Sequence, residues 1–169
     1  MERKDVAEGK EWTLRRAKPE DFEDVSILEE MVISHHRQTR PDYFKTAEGS
    51  YSKEEFEELL AHPCPIALVA VQNGRIVGIC FGTVEETSGN SVCRPRRIAF
   101  IQDVATLPEY RGKGIARGLL AGAREMAVQA GAVSMELCVW AFNEKALGLY
   151  KKMGMKVQYY RMEQDLRNG

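Results

Sequence analysis

The stretch from Arg97 to Gly131 constrains the fold more than any other part of the chain. Arg97–Thr106 reads as a strand, Pro108 ends its pairing, and Arg111-Gly112-Lys113-Gly114 leads directly into a helical pattern over Gly114–Ala130. Ile115, Leu119, Ala123, Met126 and Ala130 recur on one face of that helix, and Gly131 follows in the position that closes one. A strand that turns at once into an amphipathic helix implies a helix layer packed on a sheet.

The same junction carries a chemical expectation. Free N–H groups at a helix start, the positive end of the dipole, and glycines that permit close approach together form an anion cradle. Arg111, Lys113 and Arg117 add charge around it, which reads as a phosphate or pyrophosphate site. A Walker loop would need Ser or Thr after Lys113, where Gly114 stands. A dinucleotide fingerprint would need glycine at position 117, which is Arg, and Glu136 falls mid-strand rather than at a strand end. The plain structural alternative is a tight turn with a solvated basic face.

The rest of the chain supplies partners for this unit. Trp12–Ala17 alternates as a first strand, and Pro19, Glu20 and Asp21 start a helix with Phe22, Val25, Leu28 and Val32 on its buried face. Residues 34–51 read as irregular, with Pro41 breaking any continuing helix. Ser52 and Glu55 form a capping box that opens a short acidic helix through Leu60. Strands Ile66–Val71 and Ile76–Glu85 are joined through Asn73-Gly74, a strong hairpin signal. After the helix over Gly114–Ala130 come a strand over Val133–Trp140, a helix over Asn143–Met153 stopped by Gly154, and a last strand over Met155–Asp165. The order predicts an α/β (α+β) fold, a mixed sheet with helices on its faces.

Composition narrows the function classes. The 169 residues suit one domain, expected over 11–166 behind a frayed segment 1–10. Lys+Arg 24 against Asp+Glu 25 gives a net charge of −1, which opposes a nucleic-acid partner. The longest clean apolar run, Ile66–Val71, is far short of the roughly 20 residues of a membrane helix. The charged N-terminus has no signal-peptide core, so a cytoplasmic location without membrane attachment is expected. Cys64, Cys80, Cys93 and Cys138, with His35, His36 and His62, fall into no zinc spacing, so no metal is expected. Cys80 and Cys138 sit in apolar runs and read as small buried hydrophobes.

A second cluster follows the Val133–Trp140 strand. Asn143 is a good helix N-cap, and Tyr150 lies two turns later on the same side of that helix. Together the two segments resemble the GNAT superfamily of acyl-CoA-dependent N-acetyltransferases. The first family pattern is met by Arg111, Gly114 and Ala116, the second by Asn143, Ala146, Leu149, Tyr150 and Gly154. The resemblance is sharp over 97–155 and looser, through strand order, over about 12–165.

The resemblance implies a mostly antiparallel central sheet whose fourth and fifth strands splay to hold acetyl-CoA. It assigns the cofactor's pyrophosphate to Arg111, Gly112, Lys113, Gly114, Ile115, Ala116 and Arg117, and its pantetheine arm to Val104, Ala105, Thr106 and Asn143. Tyr150 matches the acid that protonates the departing thiolate, and is grouped with the cofactor contacts as well. Family members often carry Glu at the position held here by Gln102, which cannot accept a proton. Asp103 and Glu85 are the base candidates, with Glu86, His35 and His36 behind them; strand alternation would turn Asp103 away from the face of Gln102. The acceptor is expected to be an amine-bearing small molecule or peptide, met by the segment 34–60, and a homodimer is left open. Arg94, Arg96 and Arg97 suit either the cofactor's 3′-phosphate or a soluble loop. The alternative function is a non-catalytic acyl-CoA-binding sensor or partner module of the same fold.

Overall fold

Asn73 and Gly74 both take left-handed backbone conformations, with φ of 52° and 79°, and this mirror-type turn sets the register of the central hairpin. It joins β2 (Pro65–Gln72) to β3 (Arg75–Thr87) in a computed structural model that describes residues 11–45 and 52–166. The expected frayed segment 1–10 lies outside the described residues. The chain forms two compact units, Met1–Cys138 and Val139–Gly169.

In the first unit β1 (Thr13–Arg16), β2, β3, β4 (Arg96–Thr106) and β5 (Ser134–Leu137) form one sheet in sequence order. All neighbours are antiparallel except β4 and β5, which run parallel. Helix α3 (Ile115–Gln129) covers one face. Gly118 lies against the Trp12 ring, Gly122 against Leu14 and Leu68, and a Cβ at Gly78 would strike Ile115 and Leu119. Helices α1 (Phe22–Thr39) and α2 (Lys53–Ala61) cover the other, where Phe56 sits between Phe22 and Phe81 with ring centroids 6.1 and 5.7 Å away. Both faces are therefore buried, as the run of buried residues from Ile76 to Val84 in β3 requires.

Local signals fix the helix ends. The Ser52 hydroxyl accepts the Glu55 N–H at 3.1 Å, and the Glu55 carboxylate accepts the Ser52 N–H at 2.8 Å. We expect Ser52→Ala to lower stability by about 1 kcal/mol, read from urea unfolding midpoints. Helix α1 runs further than its apolar spacing suggested. It continues through Thr39, and only the approach to Pro41 stops it.

The second unit holds α4 (Glu144–Lys152), capped by the Asn143 side chain, whose Oδ1 accepts the Ala146 N–H at 3.2 Å. Gly154, at φ 85°, ends it. The expected last strand is absent: residues 155–166 join no ladder, and Val157, Tyr159, Tyr160, Met162 and Leu166 are exposed. Alternation in a sequence marks a surface suited to pairing, but a strand also needs a partner edge.

Candidate active site

The site is built where β4 loses its neighbour. The β4–β5 ladder ends at Ile101 and Leu137, while β4 continues to Thr106. On the other side Val104, Ala105 and Thr106 stay bonded opposite Cys80, Ile79 and Gly78. Within the first unit no strand pairs with their second edge beyond the last β5 pair, the expected splay.

The cause of the splay is partly written in β3. Phe81 lies opposite Asp103 and Gly82 opposite Ile101, so Gln102 is an extra residue, a β-bulge. Only glycine fits at 82, because a Cβ there would run into the Phe100 carbonyl. The bulge also overturns the alternation expected for Gln102 and Asp103. Gln102 lines a cavity with Glu55, Glu58 and Leu59 of α2, and Asp103 shares the face of Phe81, which packs on α2. Both side chains face the α1–α2 layer.

Beyond β4, a one-turn 3-10 helix (Pro108–Tyr110) delivers the chain to the basic loop. Gly112 and Gly114 adopt φ of 79° and 78°, with open space where a Cβ would stand. Gly114 is the N-cap of α3, and no side chain caps the helix. The first intrahelical bond is Gly118 N–H to the Gly114 carbonyl at 2.9 Å, which leaves the N–H groups of Ile115, Ala116 and Arg117 ahead of the ladder. The Trp12 indole donates to the Lys113 carbonyl at 3.2 Å and pins the loop to the sheet. Arg111 donates to the Thr106 carbonyl at 3.3 Å, joining loop to strand end. This is a cradle that fits a pyrophosphate: uncapped N–H groups, no side chain in the way, and exposed cations at Arg111, Lys113 and Arg117.

The candidates for proton transfer separate. Glu85 lines the cavity of about 330 Å³ with Thr83, His62, Gln102 and the α2 acids, and accepts the Thr83 hydroxyl at 2.6 Å. Glu86 is instead in an exposed ion pair with Arg97, at 3.7 Å. His35 and His36 lie near the end of α1, where His36 stacks on Phe44 and burial lowers its pKa. Arg96 and Arg97 are spent on structure, Arg96 on Glu136 at 3.1 Å and Arg97 on the Ala130 carbonyl at 2.7 Å. Cys80 is buried as expected, but Cys138 is exposed, since β5 ends at Leu137.

Asp103 is held by burial well above the ordinary carboxylate range, at about 6. Its neighbour was missed in the sequence. Glu29 of α1 is 2% exposed, and burial with the Asp103 charge pushes its carboxyl to about 8. Both groups bind protons more tightly folded than unfolded. The stability they confer is full below pH of about 4 and falls as pH rises toward 8. Glu29→Gln should therefore gain about 1–3 kcal/mol over the natural chain at pH 8 and little near pH 4, measured by denaturant unfolding.

In the second unit Asn143 and Tyr150 lie seven residues apart on one side of α4. The Tyr150 carbonyl accepts the Met153 and Met155 N–H groups at 3.1 and 3.0 Å, closing the helix end.

Residues 30–155 match the acetyltransferase (GNAT) family, a span that includes β4, the cradle and α4. The chain belongs to the GNAT acetyltransferase family. A thialysine N-epsilon-acetyltransferase of Bos taurus is 27% identical over 142 residues, 83% of this chain and 82% of that protein. Among solved structures, a tetramutant of the BH1408 protein of Bacillus halodurans superposes with a TM-score of 0.86 at 25% identity, covering 91% of this chain and 99% of that one. The aminoglycoside N-acetyltransferase AAC(6')-Iy in complex with CoA gives a TM-score of 0.69 at 17% identity, over 96% and 99% of the two chains, and shares the fold. Among the described residues of this GNAT chain, no helix is long and apolar enough to cross a membrane.

Proposed function

We propose that this GNAT chain transfers an acetyl group from acetyl-CoA to a primary amine of a small molecule or peptide, by direct attack of the amine on the thioester. The observation that carries the reading is the uncapped, glycine-lined start of α3, placed at the end of a strand whose outer edge has lost its partner. We take 11–166 as one acetyltransferase domain, supported by a family match that runs across both compact units.

Bound acetyl-CoA supplies an activated thioester. The N–H groups of Ile115, Ala116 and Arg117, with the open backbone of Gly112 and Gly114 and the charges of Arg111, Lys113 and Arg117, hold its pyrophosphate. The free edge at Val104, Ala105 and Thr106 bonds the pantetheine arm as an added strand would, with Asn143 as a further contact. A backbone N–H in that segment polarises the thioester carbonyl. An amine with a pKa of about 10.4 arrives protonated at neutral pH, so a base must take a proton first. Asp103 is that base; its raised proton affinity suits the task, and the bulge turns it to the helix face shared with Gln102. Glu85, with Glu55 and Glu58, gives the neighbouring cavity a negative lining that attracts an ammonium group. Tyr150 donates a proton to the departing thiolate.

Thiol release from acetyl-CoA, followed across polyamines, amino acids, aminoglycosides and peptides, tests this reading. Amine-dependent release is expected for at least one class. Tight CoA binding with no release for any amine would favour a non-catalytic acyl-CoA-binding module, and absence of CoA binding would sink both.

A further inference from the structure

The sheet lacks a strand at one edge, and the chain carries a strand-like segment that lacks a sheet. Among the described residues β5 pairs with β4 alone, so Ser134–Leu137 is an edge strand whose outer side joins no ladder. Val133, the residue before it, is itself 71% exposed. Open edges of this kind are templates for a further strand, and natural proteins pair, charge or cover them. Residues 160–166 have the pattern of such a strand. Tyr160, Met162 and Leu166 fall on one face by alternation, with Arg161, Glu163 and Asp165 on the other. Yet residues 155–166 join no ladder, and Tyr160, Met162 and Leu166 are 84%, 90% and 81% exposed. Val157 and Tyr159 are exposed beside them. Single apolar residues in water need no explanation, but five within ten positions mark an interaction surface.

We propose that residues 155–166 add as a further strand to the β5 edge of a second copy of this chain, whose own segment returns the contact. The occupant is a second copy because one chain carries both halves of the fit in equal number, the edge and the segment. A two-fold exchange uses each edge once and leaves none open, so it closes at two copies. Backbone bonds along the edge supply affinity, and the alternation of the segment fixes which side chains turn toward the sheet's helix layer. The size is also right. Tyr159 and Tyr160 of both copies bring about 600–1,000 Å² of side-chain surface. With the surface they cover, that reaches the range of about 1,200–2,000 Å² typical of a stable interface.

The test is sedimentation equilibrium of the full chain at about 1–100 μM. We expect twice the mass of one chain; a single-chain mass throughout, or a series of larger assemblies, overturns the inference. Met162→Pro removes an N–H from the middle of the added strand, at a residue that is exposed and in no ladder within its own chain. The symmetric dimer loses that bond twice, so its dissociation constant should rise about a hundredfold while circular dichroism stays that of the folded chain. Dimerisation by this variant as tight as that of the natural chain overturns the inference. Val92→Asp is the control, at a residue 89% exposed outside the segment, and should leave the dimer intact. A reading that needs no variant comes from isotope-labelled and unlabelled chains refolded together. Isotope-filtered NOEs between the Met162 methyl of one copy and Ser134–Leu137 of the other support the exchange. The same NOEs confined to one copy would mean that the segment completes its own sheet, and their absence would mean a different contact; either overturns it.

Discussion

Gly114→Glu is expected to abolish CoA binding, with affinity lost by more than about a hundredfold in calorimetry while the chain stays folded. Two effects act together. The backbone at 114 has φ of 78°, a region glycine enters freely and Glu enters at a cost of about 1–2 kcal/mol. The new side chain would also occupy open space at the start of α3, where a carboxylate would take the dipole end and the N–H groups offered to phosphate. Each tenfold loss corresponds to about 1.4 kcal/mol, so removing two or three charge-assisted bonds of about 1.5–3 kcal/mol each is sufficient. Gly114→Asn is the control, because Asn tolerates the left-handed region and caps without charge. It should weaken binding about tenfold at most. Equal binding by the Glu variant and the natural chain would place the phosphates elsewhere.

Features decided by a few neighbouring residues were legible in the sequence. The Asn73-Gly74 turn, the Ser52–Glu55 capping box and the passage from β4 through Gly114 into α3 depend on local backbone chemistry, and each appears within a residue or two of its expected place. What depended on a partner was harder to read. The bulge at Gln102 is a count of two residues against one across a ladder, and no residue type in β4 announces it. Gly82 carried the available hint, since glycine inside a strand often marks a close backbone approach. Glu29 was visible as an acid on the stripe of Val25, Leu28 and Val32, but its burial depends on the sheet that α1 packs against. Residues 155–166 show the converse, an alternating pattern without a ladder. Pairing across the sheet, rather than propensity along the chain, decides where these acids point.

Tyr150→Phe is expected to lower kcat by about 10²–10³ while the dissociation constant for CoA moves less than about threefold. The ring fills the same volume without its hydroxyl, and α4 keeps the features that hold its ends: the Asn143 cap and the backbone bonds to the Tyr150 carbonyl. Urea unfolding of both chains, measured alongside, separates a chemical effect from a folding one. If Tyr150 protonates the thiolate, the deficit should shrink when the leaving thiol is made more acidic, because a better leaving group needs less help. An acetyl thioester of an aryl thiol, compared with acetyl-CoA on both chains, reads that dependence. A deficit of the same size with both donors would mean that Tyr150 serves binding or packing, and an unchanged kcat with acetyl-CoA would remove it from the chemistry. The same comparison on Asp103→Asn should show no such recovery, since a base acts on the amine and not on the sulfur. The two variants would thus assign the two proton movements separately, one before bond formation and one at departure.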